Sequence, residues 1–321
     1  MDISRQVVRE ERGEEAAGSR LLSRRLFLAG GVAAVLGAVP VAEAYRFEVS
    51  RTPLRLPGLR APLRVALLTD LHFGPFMREG SARDWVSAAL HEKPDLILIT
   101  GDFVDRQAGE DVRPLLAQLS RLEAPLGVWG VWGNHDYARF GVMENKRLGL
   151  GGPRYDVIPA RADWEARRES FRADLAAAGV RVLRNEGVRV RDDLFLAGAD
   201  DFICAKPDLG AALRGAGDGA ASAAQASAAQ ASATLLMSHN PDLLPKVPQS
   251  VGLTLCGHTH GGQVRLPLLG ALVTASLYGQ RFARGLVHGP ARGFVSRGLG
   301  VTTLPLRLRC PPELAVLDLH P

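Results

Sequence analysis

"LRVALLTDLH", residues 63–72, is an apolar run that stops abruptly at an aspartate and a histidine. A stretch such as Leu63–Leu68, with one charge in six residues, suits a strand buried on both faces. Strands of that kind belong to parallel sheets covered by helices. The same design recurs in "DLILITGD" (95–102), "GVWGVWGNHD" (127–136), "TLLMSHNPD" (234–242) and "GLTLCGHTH" (252–260). Between the first three runs, 81–91 and 111–122 have helical spacing, with Trp85, Val86, Ala89 and Leu90 on one side of the first. Strand and helix in alternation predict a mostly parallel α/β sheet. A further helix is predicted over 163–178, with Trp164, Phe171 and Leu175 facing the core. Short strands follow at "VRVLRN", "VRVRD" and "LFLAG", and again between 294 and 319.

The rest of the chain sets limits. Its 321 residues are 46% hydrophobic and 23% charged, an ordinary globular composition with ample core material. A net charge of +5, with no basic run interleaved with aromatics, argues against a nucleic-acid partner. Cys204, Cys256 and Cys310 are far apart and odd in number, so they read as small core residues rather than a disulfide framework. Residues 45–60, rich in Pro and Arg, read as a linker into a domain spanning 61–321. Two segments interrupt that domain's pattern. Residues 137–160 read as an irregular surface excursion, and 210–233 as a low-complexity Ala/Ser/Gln insertion with "SAAQA" twice in succession.

Residues 1–44 have the parts of an export signal: Arg24-Arg25, an apolar stretch from Leu26 to Ala42, and Ala42-Glu43-Ala44 as a small-x-small site. The apolar stretch is short and rich in Gly and Ala, weak for a permanent span, which needs about 20 residues. The expected partner is therefore the twin-arginine export machinery. The expected location is periplasmic or otherwise extracytoplasmic, with the segment either removed after Ala44 or kept as an inner-membrane anchor.

Metal-type side chains gather where the apolar runs end: Asp70 and His72, Asp102, Asn134-His135-Asp136, His239, and His258 with His260. Neighbouring side chains on extended backbone alternate faces, so Asp70 with His72, and His258 with His260, are each expected to reach one point. In open parallel sheets, sites form beyond the carboxyl ends of strands, so five such ends have one crevice to share. Imidazoles, carboxylates and one neutral amide suit borderline divalent ions such as Mn, Fe, Zn or Ni. No thiolate joins the set, which argues against a structural zinc site. His91, His288 and His320 lack this context and read as surface or structural histidines.

"DLH" at 70–72, "GDFVD" at 101–105, "GNHDY" at 133–137, "SHNPD" at 238–242 and "GHTHGGQ" at 257–263 together resemble the calcineurin-like metallophosphoesterases, in particular an exported branch with a twin-arginine signal. The resemblance spans about 63–319. It implies a four-layer αββα sandwich, two mixed sheets flanked by helices, carrying two divalent ions. Asp70, His72 and His260 would hold one ion, Asn134, His239 and His258 the other, and Asp102 would bridge them. His135 would assist the leaving group, with Asp136 orienting it. Asp105 reads equally as a partner of a ligand and as a helix cap.

The implied reaction is phosphoester hydrolysis by a metal-bridging hydroxide. The expected substrate is a phosphodiester or diphosphate at the cell envelope, including lipid-linked molecules of the UDP-diacylglucosamine type, with peripheral or anchored membrane association. Two alternatives stand beside it: an extracytoplasmic phosphomonoesterase or soluble-phosphodiester hydrolase, and a non-catalytic metal-dependent binder of phosphorylated envelope polymers. Substrate contacts are not assigned, although Arg284, Arg292 and Arg297 are candidates for a phosphate and Phe73–Phe76 for an apolar lip.

Overall fold

Alternation inside each apolar run decides what packs on what. In Leu63–Leu68, Ala66 and Leu68 face the helices Glu79–His91, Arg113–Leu119 and Trp164–Ala177, while Val65 and Leu67 face a second sheet. Ile97 and Ile99 against Leu96 and Leu98 repeat the split one strand over. Both faces are apolar because both are covered. Each fully buried Leu or Ile contributes about 1.5–3 kcal/mol.

The structure is a computed structural model and describes residues 39–107, 109, 111–149, 152–216 and 233–321. Most of the export-signal reading (1–38) and most of the Ala/Ser/Gln tract (217–232) lie outside the described residues. The first sheet runs Glu48–Arg55, Glu313–His320, Leu63–Leu68, Leu96–Ile99, Val128–Gly130, Val180–Val182. The second runs Gly285–His288, Arg292–Val295, Leu253–Cys256, Ala233–Met237, Leu194–Gly198, Glu186–Arg191. Each mixes parallel and antiparallel pairs. The sheets meet through Leu67, Leu98 and Trp129 on one side and Leu196, Met237, Leu255 and Phe294 on the other. The outer face of the second sheet is covered thinly, by Leu209–Ala212 and the 3-10 segment Pro241–Lys246. The order is helix, sheet, sheet, helix, the αββα arrangement.

Three readings of the sequence need correction. Residues 45–60 contain a strand, Glu48–Arg55, paired in parallel with Glu313–His320. It is an edge strand with mostly solvent-facing side chains, which is why its composition resembles a linker and why Pro53 is tolerated. The described part of 137–160 is regular: it completes the helix Asn134–Phe140 and pairs Val142–Gly149 with Gly152–Pro159. Part of 210–233 is also regular, since the helix Leu209–Ala212 runs into it and the strand Ala233–Met237 begins at its end.

Candidate metal centre

Every parallel strand of the central pairs delivers its carboxyl end to the same place. Leu63–Leu68 leads to Asp70 and His72, Leu96–Ile99 to Asp102, and Val128–Gly130 to the helix that starts at Asn134. From the second sheet, Ala233–Met237 leads to His239 and Leu253–Cys256 to His258 and His260. All seven side chains are buried, none more than 8% exposed.

They fall into two groups joined by one carboxylate. Nε2 of His260 lies 3.0 Å from Nε2 of His72 and 3.5 Å from Oδ1 of Asp70. Nε2 of His239 lies 3.2 Å from Oδ1 of Asn134 and 3.2 Å from Nδ1 of His258. Oδ2 of Asp102 stands between the groups, 3.4 Å from Nε2 of His72 and 3.2 Å from Nε2 of His239. Asp70, His72 and His260 share one set of donors within ion-binding reach, and Asp102, His239 and His258 another. Spacings of this size are the edges expected between ligands each about 2.1 Å from a common ion. The donors therefore fit two divalent ions with Asp102 common to both.

The expected reason for these pairings was wrong. Asp70, His72, Asp102, His258 and His260 all have φ between 45° and 71°, so no extended segment alternates there. Left-handed turns aim the side chains instead, and His258 and His260 diverge into different groups. Two glycines permit the close approach. A Cβ at Gly133 would lie 2.2 Å from Oδ1 of Asp102, and one at Gly257 would lie 2.4 Å from Oδ2 of Asp70.

Surrounding groups fix each ligand. Nδ1–H of His239 donates to the Thr100 carbonyl (2.8 Å), leaving Nε2 for the centre. Asn134 donates from its amide nitrogen to Glu144 (3.3 Å), which turns its oxygen inward. Asp70 accepts from the His258 backbone (2.9 Å) and Asp102 from that of His135 (2.8 Å). Arg307, buried, donates to the carbonyls of His260, Arg297, Gly298, Gly300 and Cys310, bracing the loop that carries His260.

His135 lies at the rim, its ring 4.5 Å from that of His72. Asp136 does not orient it. Its carboxylate accepts from the backbones of Gly133 (2.9 Å) and Val104 (3.2 Å) and secures the helix start. The carboxylate that reaches His135 is Asp105, whose Oδ2 is 3.4 Å from Nδ1 of both His135 and His72. Burial alone would raise the Asp105 carboxyl, but these two imidazoles outweigh it and hold it well below its usual range. Sequence reasoning missed three neighbours. Arg106 places Nη2 3.2 Å from Nε2 of His135 and 3.2 Å from Glu144, and it directly follows Asp105, which was the available signal. Glu144 was hidden in the stretch taken as irregular, and Arg307 carried no signal. Arg297, a phosphate candidate, is instead buried against Glu313 and Glu48. Phe73 is core, and Phe76 packs on it.

Charge among these side chains is shared unequally. Burial alone would lower the His239 imidazolium, but the Asp102 carboxylate outweighs it and raises it to about 10. Burial, with the charge on His239 added, lowers His258 to about 3. At neutral pH the pair thus carries one excess proton, on His239, and an arriving ion must expel it. Loading the ion-free chain at pH 7 is expected to release about one proton from this pair, and affinity is expected to rise with pH. Calorimetric titration in buffers of different ionisation enthalpy measures this, and a release near zero would contradict the assignment.

Two buried ligand groups sharing one carboxylate, at the strand ends of an αββα sandwich, define a metal-dependent phosphoester hydrolase. A family model described as calcineurin-like phosphoesterase matches residues 63–262, and the chain belongs to that family. It is 28% identical to the uncharacterized metallophosphoesterase YkuE of Bacillus subtilis, over 93% of this chain and 98% of that protein. It is 29% identical to the phosphodiesterase YaeI of Escherichia coli, over 93% and 100%. With the UDP-2,3-diacylglucosamine pyrophosphatase LpxG of Chlamydia muridarum the identity is 25%, over 86% and 90%. Among solved structures, a dimetal phosphatase from Danio rerio aligns over 76% of this chain and 89% of its own, with a TM-score of 0.41 and 12% identity.

Proposed function

We propose that the chain hydrolyses phosphodiester or diphosphate bonds at the cell envelope, on substrates that carry a lipid portion. The observation that carries the hydrolytic part is Asp102 within reach of both ligand groups, with His135 beside them at the rim. Bound ions would supply positive charge to the phosphoryl oxygens and acidify a water. His135, whose Nδ1 faces Asp105 at 3.4 Å, has Nε2 beside Arg106 and, once protonated there, would give the leaving oxygen the proton it requires. Arg106, beside that nitrogen and half-exposed, is placed to meet a phosphoryl oxygen. The presence of this acid favours turnover over binding alone, because a binder has no leaving group to protonate.

The choice of bond and substrate draws on the similarity to YaeI and LpxG. The envelope location draws on Arg24-Arg25 and the apolar stretch that follows. The test is a substrate panel with the Mn²⁺-loaded full chain: bis(p-nitrophenyl) phosphate, p-nitrophenyl phosphate, and a UDP-linked diacylglucosamine. Diester and diphosphate turnover is expected to exceed monoester turnover by roughly tenfold, ~1.4 kcal/mol in barrier. A preference for the monoester sinks the proposed bond class. Inertia of protein shown to hold two ions sinks the hydrolase.

A further inference from the structure

Among the described residues, fourteen large apolar side chains are exposed, and eight of them lie between Leu268 and Leu304. They begin directly after the metal-ligand loop. His260-Gly261-Gly262 runs into a small hairpin, Arg265–Leu266 against Gly270–Ala271, whose turn is Pro267-Leu268-Leu269. Leu268 at the tip is fully exposed (107%), and Leu269, Leu272 and Val273 are 65%, 57% and 69% exposed. Leu268 also has φ of 66°. A turn in water favours Gly, Asn or Asp in that conformation, so a leucine there is ill suited to water on two counts.

The hairpin is held out rigidly. Gln280 donates to the Leu269 carbonyl and accepts from the Ala271 backbone, and Leu272 N–H donates to the Val264 carbonyl. Its base is tied to the loop 302–309: Arg265 N–H donates to Leu308 and Leu308 N–H to Gln263, both at 2.9 Å. That loop exposes Leu304 (54%). It also receives the N-terminal segment. Arg307 N–H donates to the Pro40 carbonyl (2.9 Å), and Glu43 accepts from the backbones of Arg309 and Cys310. Ala44 is buried in the core beneath. The described end of the N-terminal apolar stretch, from Val39, therefore meets the domain at the 302–309 loop.

Charge selects the occupant. From Leu243 to Pro312 the chain has eight Lys or Arg and no Asp or Glu. Arg281, Arg284 and Arg309 are exposed, and Arg265 is half-buried on the hairpin itself. Apolar tips on a segment with these arginines and no carboxylate of its own, Glu43 being engaged by the backbone of the 302–309 loop, match a surface that has a hydrocarbon interior under anionic headgroups.

We propose that the 264–273 hairpin and the 302–309 loop form a membrane-docking surface that inserts leucines into an anionic phospholipid leaflet beside the metal centre. This deepens the lipid-linked reading above and rests on it for its purpose, because a substrate held in the leaflet would then meet the ligands next to Gly261. The surface itself can be tested without hydrolysis. The full chain is labelled with an environment-sensitive fluorophore at Leu268→Cys and mixed with vesicles of phosphatidylglycerol and phosphatidylethanolamine containing a quencher near the headgroups. Asp192→Cys, exposed at the opposite ends of the strands, serves as the reference position, and wild type labelled identically supplies the background.

The label at 268 is expected to shift to the blue and be quenched, with the 192 label unchanged. Salt at 0.5 M is expected to weaken binding by screening the arginines. Leu268→Ser/Leu269→Ser is expected to reduce turnover of vesicle-borne lipid diphosphate by roughly tenfold, while hydrolysis of bis(p-nitrophenyl) phosphate stays unchanged. Protein that sediments with vesicles while the 268 label stays in water overturns the proposal, since the N-terminal segment alone would then be holding it. A blue shift at 268 that grows with protein concentration in the absence of lipid also overturns it, in favour of a second copy. An inert chain whose 268 label is quenched leaves the surface standing and removes only the hydrolytic reading.

Discussion

Asp102→Asn is expected to lose both metal loading and turnover, the latter by about a thousandfold or more. The change keeps the shape of the side chain and removes one charge, so the argument is electrostatic. Asp102 is the only carboxylate within reach of both ligand groups among the described residues. Apart from Asp70, the other ligands are neutral when bound, so this charge is half of what the seven ligands themselves set against two divalent ions. One unit-charge pair 4 Å apart is worth about 4 kcal/mol at an effective dielectric of 20. Asp102 would interact with two doubly charged ions when both are bound, so even a heavily discounted loss exceeds the ~4 kcal/mol of a thousandfold effect. Elemental analysis should find fewer than two ions per chain, and circular dichroism should find the fold intact. A variant that keeps two ions and near-native turnover would remove the bridging role.

The same residue is strained in the folded state. Left-handed backbone at a non-glycine position costs on the order of 1 kcal/mol or more, and five of the seven ligands adopt it. Hydrogen bonds from Asp70 N–H to Gly101, and from His72 N–H to Asp102, both 3.0 Å, hold two of these turns in place. Two buried sheets behind the turns supply the rigidity. The strain is thus concentrated where the ligands are aimed.

This explains which parts of the molecule were legible in the sequence. Runs such as "DLILITGD" announce buried strands because their burial is two-sided, and chelating residues at their ends stand out against that apolar background. The convergence of seven ligands was readable for that reason. The aim of each side chain was not, because a left-handed turn at Asp70 or His258 leaves no mark in residue type. Edge strands read poorly too: Glu48–Arg55 buries little and so shows no apolar period. The partner of His135 was misassigned to its sequence neighbour Asp136, since only the folded chain brings Asp105 across from a different strand end.

That exchange of carboxylates makes the second large effect specific. His135→Ala is expected to retain two ions and lose turnover by roughly 10²–10⁴-fold, the range for a positioned general acid. The loss should shrink for substrates with good leaving groups, because a nitrophenolate departs with little protonation. An alkyl phosphodiester should therefore show a larger deficit than bis(p-nitrophenyl) phosphate in the same variant. Asp105→Asn should show a milder form of the same pattern. Asp136→Asn should instead lower the melting temperature, because its carboxylate secures backbone at Gly133 and Val104 and touches no imidazole in the structure. If the deficit of His135→Ala were equal for both leaving groups, His135 would be stabilising charge rather than delivering a proton. If Asp136→Asn reproduced that leaving-group dependence and Asp105→Asn did not, the sequence-neighbour pairing would be restored.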